Sequence, residues 1–192
     1  MRFQAATVVL LAVMGGGSLN AAEKVVVDVY ISGRDGSALL LGPGMPLASA
    51  IFERIGVRLH RHTGELPAGQ NAFGIRTVEH APESATAGAL ASTHLVGALG
   101  TEITVYGDRM RRFLGDHSSL REVAAAYVLA HELAHAMQGV ARHSESGIMK
   151  AQWSRDDYQE MVFHKLAFTA TDVALIHFGL APQSPISNVA ER

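Results

Sequence analysis

Short segments in the first half of the chain alternate apolar and polar positions, or carry β-branched runs, which predicts β-strands. We assign four segments to strands: residues 24–31, 57–59, 72–78 and 101–106. Between the first two, residues 47–55 place apolar side chains at helical spacing and end at Gly56. A strand, a helix and a strand of these lengths predict a βαβ unit, in which the strands run parallel with a right-handed crossover.

One long segment of this half has no clear periodicity. Residues 81–100 are poor in charge and rich in alanine, glycine, serine and threonine. We interpret this segment as a mobile loop or as a segment that flanks a substrate, because its composition is typical of neither a strand nor a helix.

The second half of the chain is predicted to be helical. Ser119 and Glu122 have the spacing of a capping box, and the residues that follow are apolar on all sides, which predicts a buried helix that ends at Gly139. Shorter helices are expected at residues 108–114, at 156–166 after a cap that begins at Ser154, and from a Thr169 cap to about Phe178, stopped by Gly179.

These elements predict an α+β fold with an α/β-like N-terminal half: a small twisted mixed sheet of about four strands, a central helix and C-terminal helices. The apolar run from Phe3 to Met14 is too short for the roughly 20 residues that span a bilayer. Small residues follow it up to Ala22, as in a secretory signal peptide. We therefore divide the chain into a signal peptide (1–22), a single domain (23–181) and a flexible tail (182–192).

Export would place the protein in the periplasm or outside the cell, with cleavage near Ala22 and no stable insertion in the membrane afterwards. The chain of 192 residues has no cysteine, which excludes disulfides, cysteine nucleophiles and cysteine-ligated metals. Its 16 basic and 18 acidic residues give a formal net charge of −2, which offers no electrostatic footprint for nucleic acid. We expect a monomer that acts on a peptide or protein substrate.

The candidate chemistry lies in the buried helix, as His131, Glu132 and His135 in the pattern H-E-x-x-H. Residues four apart share one face of a helix, so both imidazoles can bind one Zn²⁺ while Glu132 projects beside it. Two further histidines, His60 and His62, follow the second strand. We interpret these two as exposed strand-end residues rather than as a second metal site.

A catalytic zinc ion has three protein ligands and one open position. If the helix continued, His143 would lie about 12 Å beyond His135 along the axis, so both could bind one ion only if the chain turns at Gly139. We expect this turn and take His143 as the third ligand. The alternative is Glu160, on the next predicted helix.

The stretch from His131 to Met149 resembles the active site of the metzincin clan of zinc metalloproteases: H-E-x-x-H, a glycine turn, a third histidine and a Met-turn. Relative to the clan pattern, Gly139 comes one residue late and His143 two residues late. Residues 143–153 are also similar to H-S-x-x-G-[IL]-M-[KR]-A-x-W of small secreted bacterial proteins of unassigned activity. The resemblance implies a zincin-like fold, a methionine below the metal and a sheet-edge strand that aligns an extended substrate.

We therefore expect a secreted endopeptidase with one zinc ion, bound by the three histidines, in which Glu132 is the general base for an activated water. Three side chains are candidates to stabilise the oxyanion: Tyr127, Tyr158 and His117. The alternative function is a zinc-binding protein without proteolytic activity, on a degenerate metalloprotease fold. Glu132 favours the enzyme, because a metal carrier needs no general base.

Overall fold

The computed structural model of the chain describes residues 24–32, 41–67, 72–95, 100–116 and 120–181. The predicted signal peptide (1–22) and tail (182–192) lie outside the described residues, as do His117 and Ser119. In the part of the chain that is described, no helix is long and apolar enough to cross a membrane.

Five strands form one sheet: β1 (Val25–Ser32), β2 (Val57–Thr63), β3 (Ala72–Val78), β4 (Ala91–Leu95) and β5 (Thr101–Tyr106). Their order across the sheet is β2-β1-β3-β5-β4. The neighbours β2, β1, β3 and β5 are parallel, and β4 runs antiparallel to β5 at one edge. The predicted parallel pair β1–β2 is confirmed, with a helix in the connection between the strands.

The interpretation of residues 81–100 as a loop was wrong for β4. This strand pairs with β5 from Ala91 opposite Val105 to Leu95 opposite Thr101, so it adds a fifth strand to the four that were expected. Its sequence Ala-Ser-Thr-His-Leu has little intrinsic strand propensity. Pairing with β5 stabilises β4, and such a tertiary contact overrides local propensity.

Five α-helices accompany the sheet: α1 (Met45–Glu53), α2 (Gly107–Asp116), α3 (Arg121–Gln138), α4 (Arg155–Val162) and α5 (Ala170–Leu180). A 3₁₀ turn at Gly42–Gly44 leads into α1. Helix α3 is the centre of the core: twelve of its residues are buried, and it contacts α1, α5, β4 and β5. The predicted buried helix is therefore confirmed.

Helix α3 begins one residue later than the capping-box pattern indicated. Leu120 occupies the N-cap position and no side chain caps the helix there. The capping boxes of the two C-terminal helices do form: Ser154 pairs with Asp157 at α4, and Thr169 pairs with Asp172 at α5. Helix α4 ends at Val162, four residues earlier than expected, and His164 then adopts the left-handed conformation (φ 54°) that breaks a helix.

Gly179 does not stop α5, as the sequence pattern had indicated, because the helix continues to Leu180. A Cβ atom at Gly179 would lie 1.9 Å from the carbonyl oxygen of Met137, so glycine is required here for the close approach of α5 to α3. Gly44, in the turn before α1, has a similar role near the start of α3, where a Cβ atom would lie 2.6 Å from the backbone nitrogen of Ala126. The central helix thus has a close backbone contact near its start and another near its end.

Candidate metal centre

Helix α3 presents His131 and His135 on one face, one turn apart. Their Nε2 atoms are 3.0 Å from each other, and the rings meet edge to face with centroids 4.6 Å apart. Both side chains are partly buried, because they emerge from the buried helix into the wall of a cleft.

The predicted end of this helix at Gly139 is confirmed. Gly139 has φ 67° and ψ 15°, a left-handed conformation that glycine adopts without a Cβ clash, and its N–H donates to the carbonyl of His135. The chain then turns back and places the Nε2 atom of His143 at 3.3 Å from that of His135. One nitrogen from each of the three histidines lies within 4.8 Å of the other two.

The tautomers of the two helix histidines follow from their backbone partners. A carbonyl oxygen only accepts hydrogen bonds, so His131 Nδ1, at 2.9 Å from the carbonyl oxygen of Ile148, carries the hydrogen. His135 Nδ1 faces the carbonyl oxygen of Val140 at a longer 3.4 Å. In each neutral ring the Nε2 atom then has the lone pair, and it points to the centre of the cluster.

The electrostatics keep these rings neutral. Burial lowers the pKa of His131 to about 4, and the neighbouring histidines lower it as well, against the hydrogen bond to Ile148. Burial and the adjacent His143 also lower the pKa of His135. Lone pairs of neutral rings 3.0–3.3 Å apart repel one another unless a shared proton or a cation lies between them.

The donor set fits a zinc ion. Tetrahedral ligands about 2.0–2.1 Å from zinc are about 3.3–3.4 Å from one another. The Nε2 atoms of His131 and His135 are 3.0 Å apart and those of His135 and His143 are 3.3 Å apart, so small adjustments reach this geometry. Among the residues that the structure describes, no other set of three or more potential ligand side chains comes together in this way.

Glu132 projects into the same cleft, next to His131 in sequence. Burial raises the pKa of its carboxyl group to about 7. A carboxyl group in this position is a proton acceptor or donor near neutral pH, which suits general acid–base chemistry.

The turn that follows His143 is ordered. The N–H of Ser144 donates to the carbonyl of Met149 at 2.8 Å, Gly147 is left-handed (φ 76°), and Met149 is fully buried. The carbonyl of Ile148 in this turn accepts from His131 and also from Trp153 Nε1, at 3.2 Å.

Trp153 is a site residue to which the sequence pattern assigned no role. Its ring stands edge to face against His131 with centroids 5.7 Å apart, and it lines the cleft. It therefore supports the orientation of the His131 ring from one side, while the carbonyl of Ile148 fixes Nδ1. The position of Trp153, at the end of the 143–153 motif, was the sequence signal that could have indicated its place in the site.

Other candidate residues lie apart from the cluster. Glu160, the alternative third ligand, is exposed on α4 and does not join the three histidines. The hydroxyl of Tyr127 is buried and donates to the carbonyl of Leu166, so it is not directed into the cleft, whereas Tyr158 lines the cleft. His60 and His62 lie within β2, which extends to Thr63, and are not merely strand-end residues.

The histidines of β2 have a carboxylate partner on β1. His62 Nε2 is 2.7 Å from Asp28 Oδ1, and His60 Nδ1 is 4.0 Å from the same oxygen. The two side chains are exposed to solvent, as the sequence interpretation held.

The cleft has a volume of about 1060 Å³. Its walls are residues 86–94, which include most of β4, the face of α3 that bears His131 and Glu132, and residues 150–153. Strand β4 is the last strand in the sheet order, so its outer edge is not paired with another of the described strands.

Comparison with solved structures agrees with the fold described above. The chain is similar to archaemetzincin from Methanopyrus kandleri, with a TM-score of 0.53 and 15% identity, over 85% of this chain and 99% of that chain. This likeness shows the fold, and it confirms the predicted zincin-like α+β class. No protein-family model matches the chain, and no curated protein sequence matches it.

Proposed function

We propose that this protein is a zinc-dependent endopeptidase. The observation that carries the proposal is the convergence of three imidazole nitrogens, two of them 3.0 Å apart, on the wall of a cleft beside a carboxyl group. His131, His135 and His143 would hold one zinc ion, and three protein ligands leave a coordination position for water or substrate.

The edge of the sheet supports a peptide substrate. Strand β4 lines the cleft, and an extended peptide can pair with such an edge through backbone hydrogen bonds. A peptide bound in this way would pass in front of His131 and Glu132, which line the same cleft. Backbone pairing accepts many side chains, so we expect a protease that cleaves unfolded or flexible protein segments.

When bound, a zinc ion supplies Lewis-acid chemistry that activates a water molecule and the carbonyl group of the scissile bond. Glu132 accepts a proton from the water molecule while the water oxygen bonds to the carbonyl carbon. Glu132 then passes this proton to the leaving nitrogen as the C–N bond breaks. The products are a carboxylic acid and an amine, and transfer of the acid's proton to the amine gives the carboxylate and the ammonium group. Tyr158, on the cleft wall, is our candidate donor to the carbonyl oxygen.

The methionine turn and the tryptophan have supporting roles in this proposal. Met149 forms the buried floor of the turn and takes no part in proton transfer. Trp153 and the carbonyl of Ile148 keep the His131 ring in one orientation. Such partners of a ligand ring fix its tautomer and orientation.

We also propose that the protein is exported and acts as a monomer in the periplasm or outside the cell. The apolar run at Phe3–Met14 and the small residues that follow support export. The complete absence of cysteine is compatible with an oxidising compartment, since no thiol is exposed to it.

Metal analysis combined with a cleavage assay tests the proposed function. Purified protein should contain one zinc ion per chain and should cleave casein or a peptide library until a chelator is added. Glu132→Gln should retain the zinc and lose at least about 100-fold in rate, the usual size of a general-base contribution. Glu160→Gln is the matched control and should retain both zinc and activity.

Two results would contradict the proposal in different ways. A protein that contains no zinc, or that cleaves substrates equally well with a chelator present, is not a zinc peptidase. A protein that binds zinc through the three histidines but shows no cleavage that depends on Glu132 is a zinc-binding protein on a metalloprotease fold.

A further inference from the structure

The third histidine lies on a segment with little regular structure of its own. Between the end of α3 and the start of α4, the one bridge in this described region is that between Ser144 and Lys150. His143 is exposed, so core packing does not fix its position. The metal centre requires this ring to stay close to His135, because ordering a mobile ligand on metal binding costs free energy and lowers the affinity.

A buried carboxylate contacts both chain neighbours of His143. Asp172 is fully buried, and its Oδ1 atom accepts from Arg142 Nη1 at 2.9 Å and from Ser144 Oγ at 2.6 Å. Its Oδ2 atom accepts from the N–H and the hydroxyl of Thr169, at 3.0 and 2.7 Å. One side chain thus joins the start of helix α5 to the residue before and the residue after the third histidine.

The helix behind this carboxylate is a rigid support. Helix α5 packs so closely on α3 that a Cβ atom at Gly179 would overlap the carbonyl oxygen of Met137. Since α3 also carries His131 and His135, Asp172 connects the third histidine to the same pair of helices that positions the other two.

The hydrogen bonds suit an ionised carboxylate. Burial acts to raise the pKa of Asp172, but hydrogen bonds from Ser144, Thr169 and Arg142 outweigh it and hold the pKa below its ordinary value. An ionised carboxylate accepts at both oxygens, whereas an amide accepts at only one. A helix cap alone needs only the two bonds from Thr169, so the contacts with Arg142 and Ser144 go beyond capping.

We propose that Asp172 is a positioning residue for the metal centre, which holds His143 in place through Arg142 and Ser144. The inference rests on the proposed role of the three histidines as zinc ligands. It predicts that the Asp172 contacts affect metal binding, although the four hydrogen bonds described above join Asp172 to Arg142, Ser144 and Thr169 and not to the histidines.

The test compares Asp172→Asn with Asp157→Asn, the same change in the capping box of α4, whose aspartate bonds to Ser154 and Lys150 instead. Zinc affinity is measured by competition with a chromophoric chelator, and the melting temperature is measured for each metal-free variant. Asp172→Asn should weaken zinc binding by about 10-fold, the low end of the range for the loss of a ligand's direct partner, because Asp172 acts on His143 through its chain neighbours. Asp157→Asn should bind zinc within about 2-fold of wild type.

Two milder variants keep the proposal testable if Asp172→Asn does not fold. Ser144→Ala removes a contact on the histidine side and should weaken zinc binding. Thr169→Ala removes the hydroxyl of the helix cap, keeps the bond from the backbone N–H to Asp172 and should leave zinc binding unchanged. The absorption spectrum of the Co²⁺-loaded protein gives a readout that a loss of overall stability alone would not change. It should differ from wild type in Ser144→Ala and match wild type in Thr169→Ala.

The possible failures are distinct. If wild-type protein binds zinc but Asp172→Asn and Ser144→Ala bind it equally well, the positioning role is wrong and the proposed metal site stands. If Thr169→Ala weakens binding as much as Ser144→Ala, the effect belongs to the helix cap and the positioning role is again overturned. If wild-type protein binds no zinc, the proposed function fails, and this inference fails with it.

Discussion

Two groups of the site act in opposite directions on the pH dependence of stability in the metal-free protein. Burial lowers the pKa of His131 from 6.5 to about 4 and raises that of Glu132 from 4.5 to about 7. As the pH falls from 7 to 4.5, the unfolded chain takes up a proton at His131 that the folded chain does not, which destabilises the fold. In the same range the folded chain takes up a proton at Glu132 before the unfolded chain does, which stabilises the fold.

Glu132→Gln isolates the second effect. With pKa values of about 7 folded and 4.5 unfolded, and 1.36 kcal/mol for each pH unit, Glu132 stabilises the wild-type fold by about 2–3 kcal/mol more at pH 4.5 than at pH 7. The free energy of unfolding of wild type minus that of the variant should therefore increase by this amount. Contributions of His131 and of the other titrating groups occur in both proteins and cancel in the difference.

Urea denaturation of both proteins at several pH values between 7 and 4.5, with a chelator present, measures this difference. Glu122→Gln is the control, because Glu122 is exposed in the first turn of the same helix. The free energy of unfolding of wild type minus that of Glu122→Gln should show no such increase between pH 7 and pH 4.5. If the Glu132→Gln difference stays constant or decreases as the pH falls, the Glu132 carboxyl is not in a desolvating environment, and the reasoning is refuted.

Further variants test the packing of the central helix and the ligand set. Gly179→Ala would place a Cβ atom 1.9 Å from the carbonyl oxygen of Met137. It should therefore lower the free energy of unfolding, measured by urea denaturation, by about 1–3 kcal/mol or more. Gly115→Ala, where nothing lies within 4 Å, should not be destabilising. His143→Ala should weaken zinc binding more than about 100-fold in a chelator competition, because losing a ligand costs more affinity than losing a group that only supports a ligand. His60→Ala should not weaken zinc binding. If both glycine variants were equally stable, the close packing at Gly179 would be wrong. If both histidine variants bound zinc equally well, His143 would not be a ligand.

The core of the candidate site was predictable because local rules determine it. Helical periodicity places His131 and His135 on one face, and the special conformational freedom of glycine explains why the helix ends at Gly139. If the helix ends at Gly139, the segment that follows is long enough to bring His143 back to the other two histidines. The structure brings it within 3.3 Å of His135.

The remaining features depend on contacts between residues far apart in the chain. Strand β4 forms because β5 is available to pair with it, and its own residues have little strand propensity. Gly179 has the sequence context of a helix stop, yet its role is to allow α5 to approach α3. Asp172 has the pattern of a cap, but its bonds to Arg142 and Ser144 join positions 30 and 28 residues apart, so only the folded chain reveals them.

The most direct test of the account is a crystal of zinc-loaded protein examined by anomalous diffraction at the zinc absorption edge. We expect one strong peak per chain, about 2.0–2.1 Å from a ring nitrogen of each of His131, His135 and His143, with a fourth position occupied by water. A peak elsewhere, a fourth protein ligand in place of water, or no peak between the three rings would contradict it.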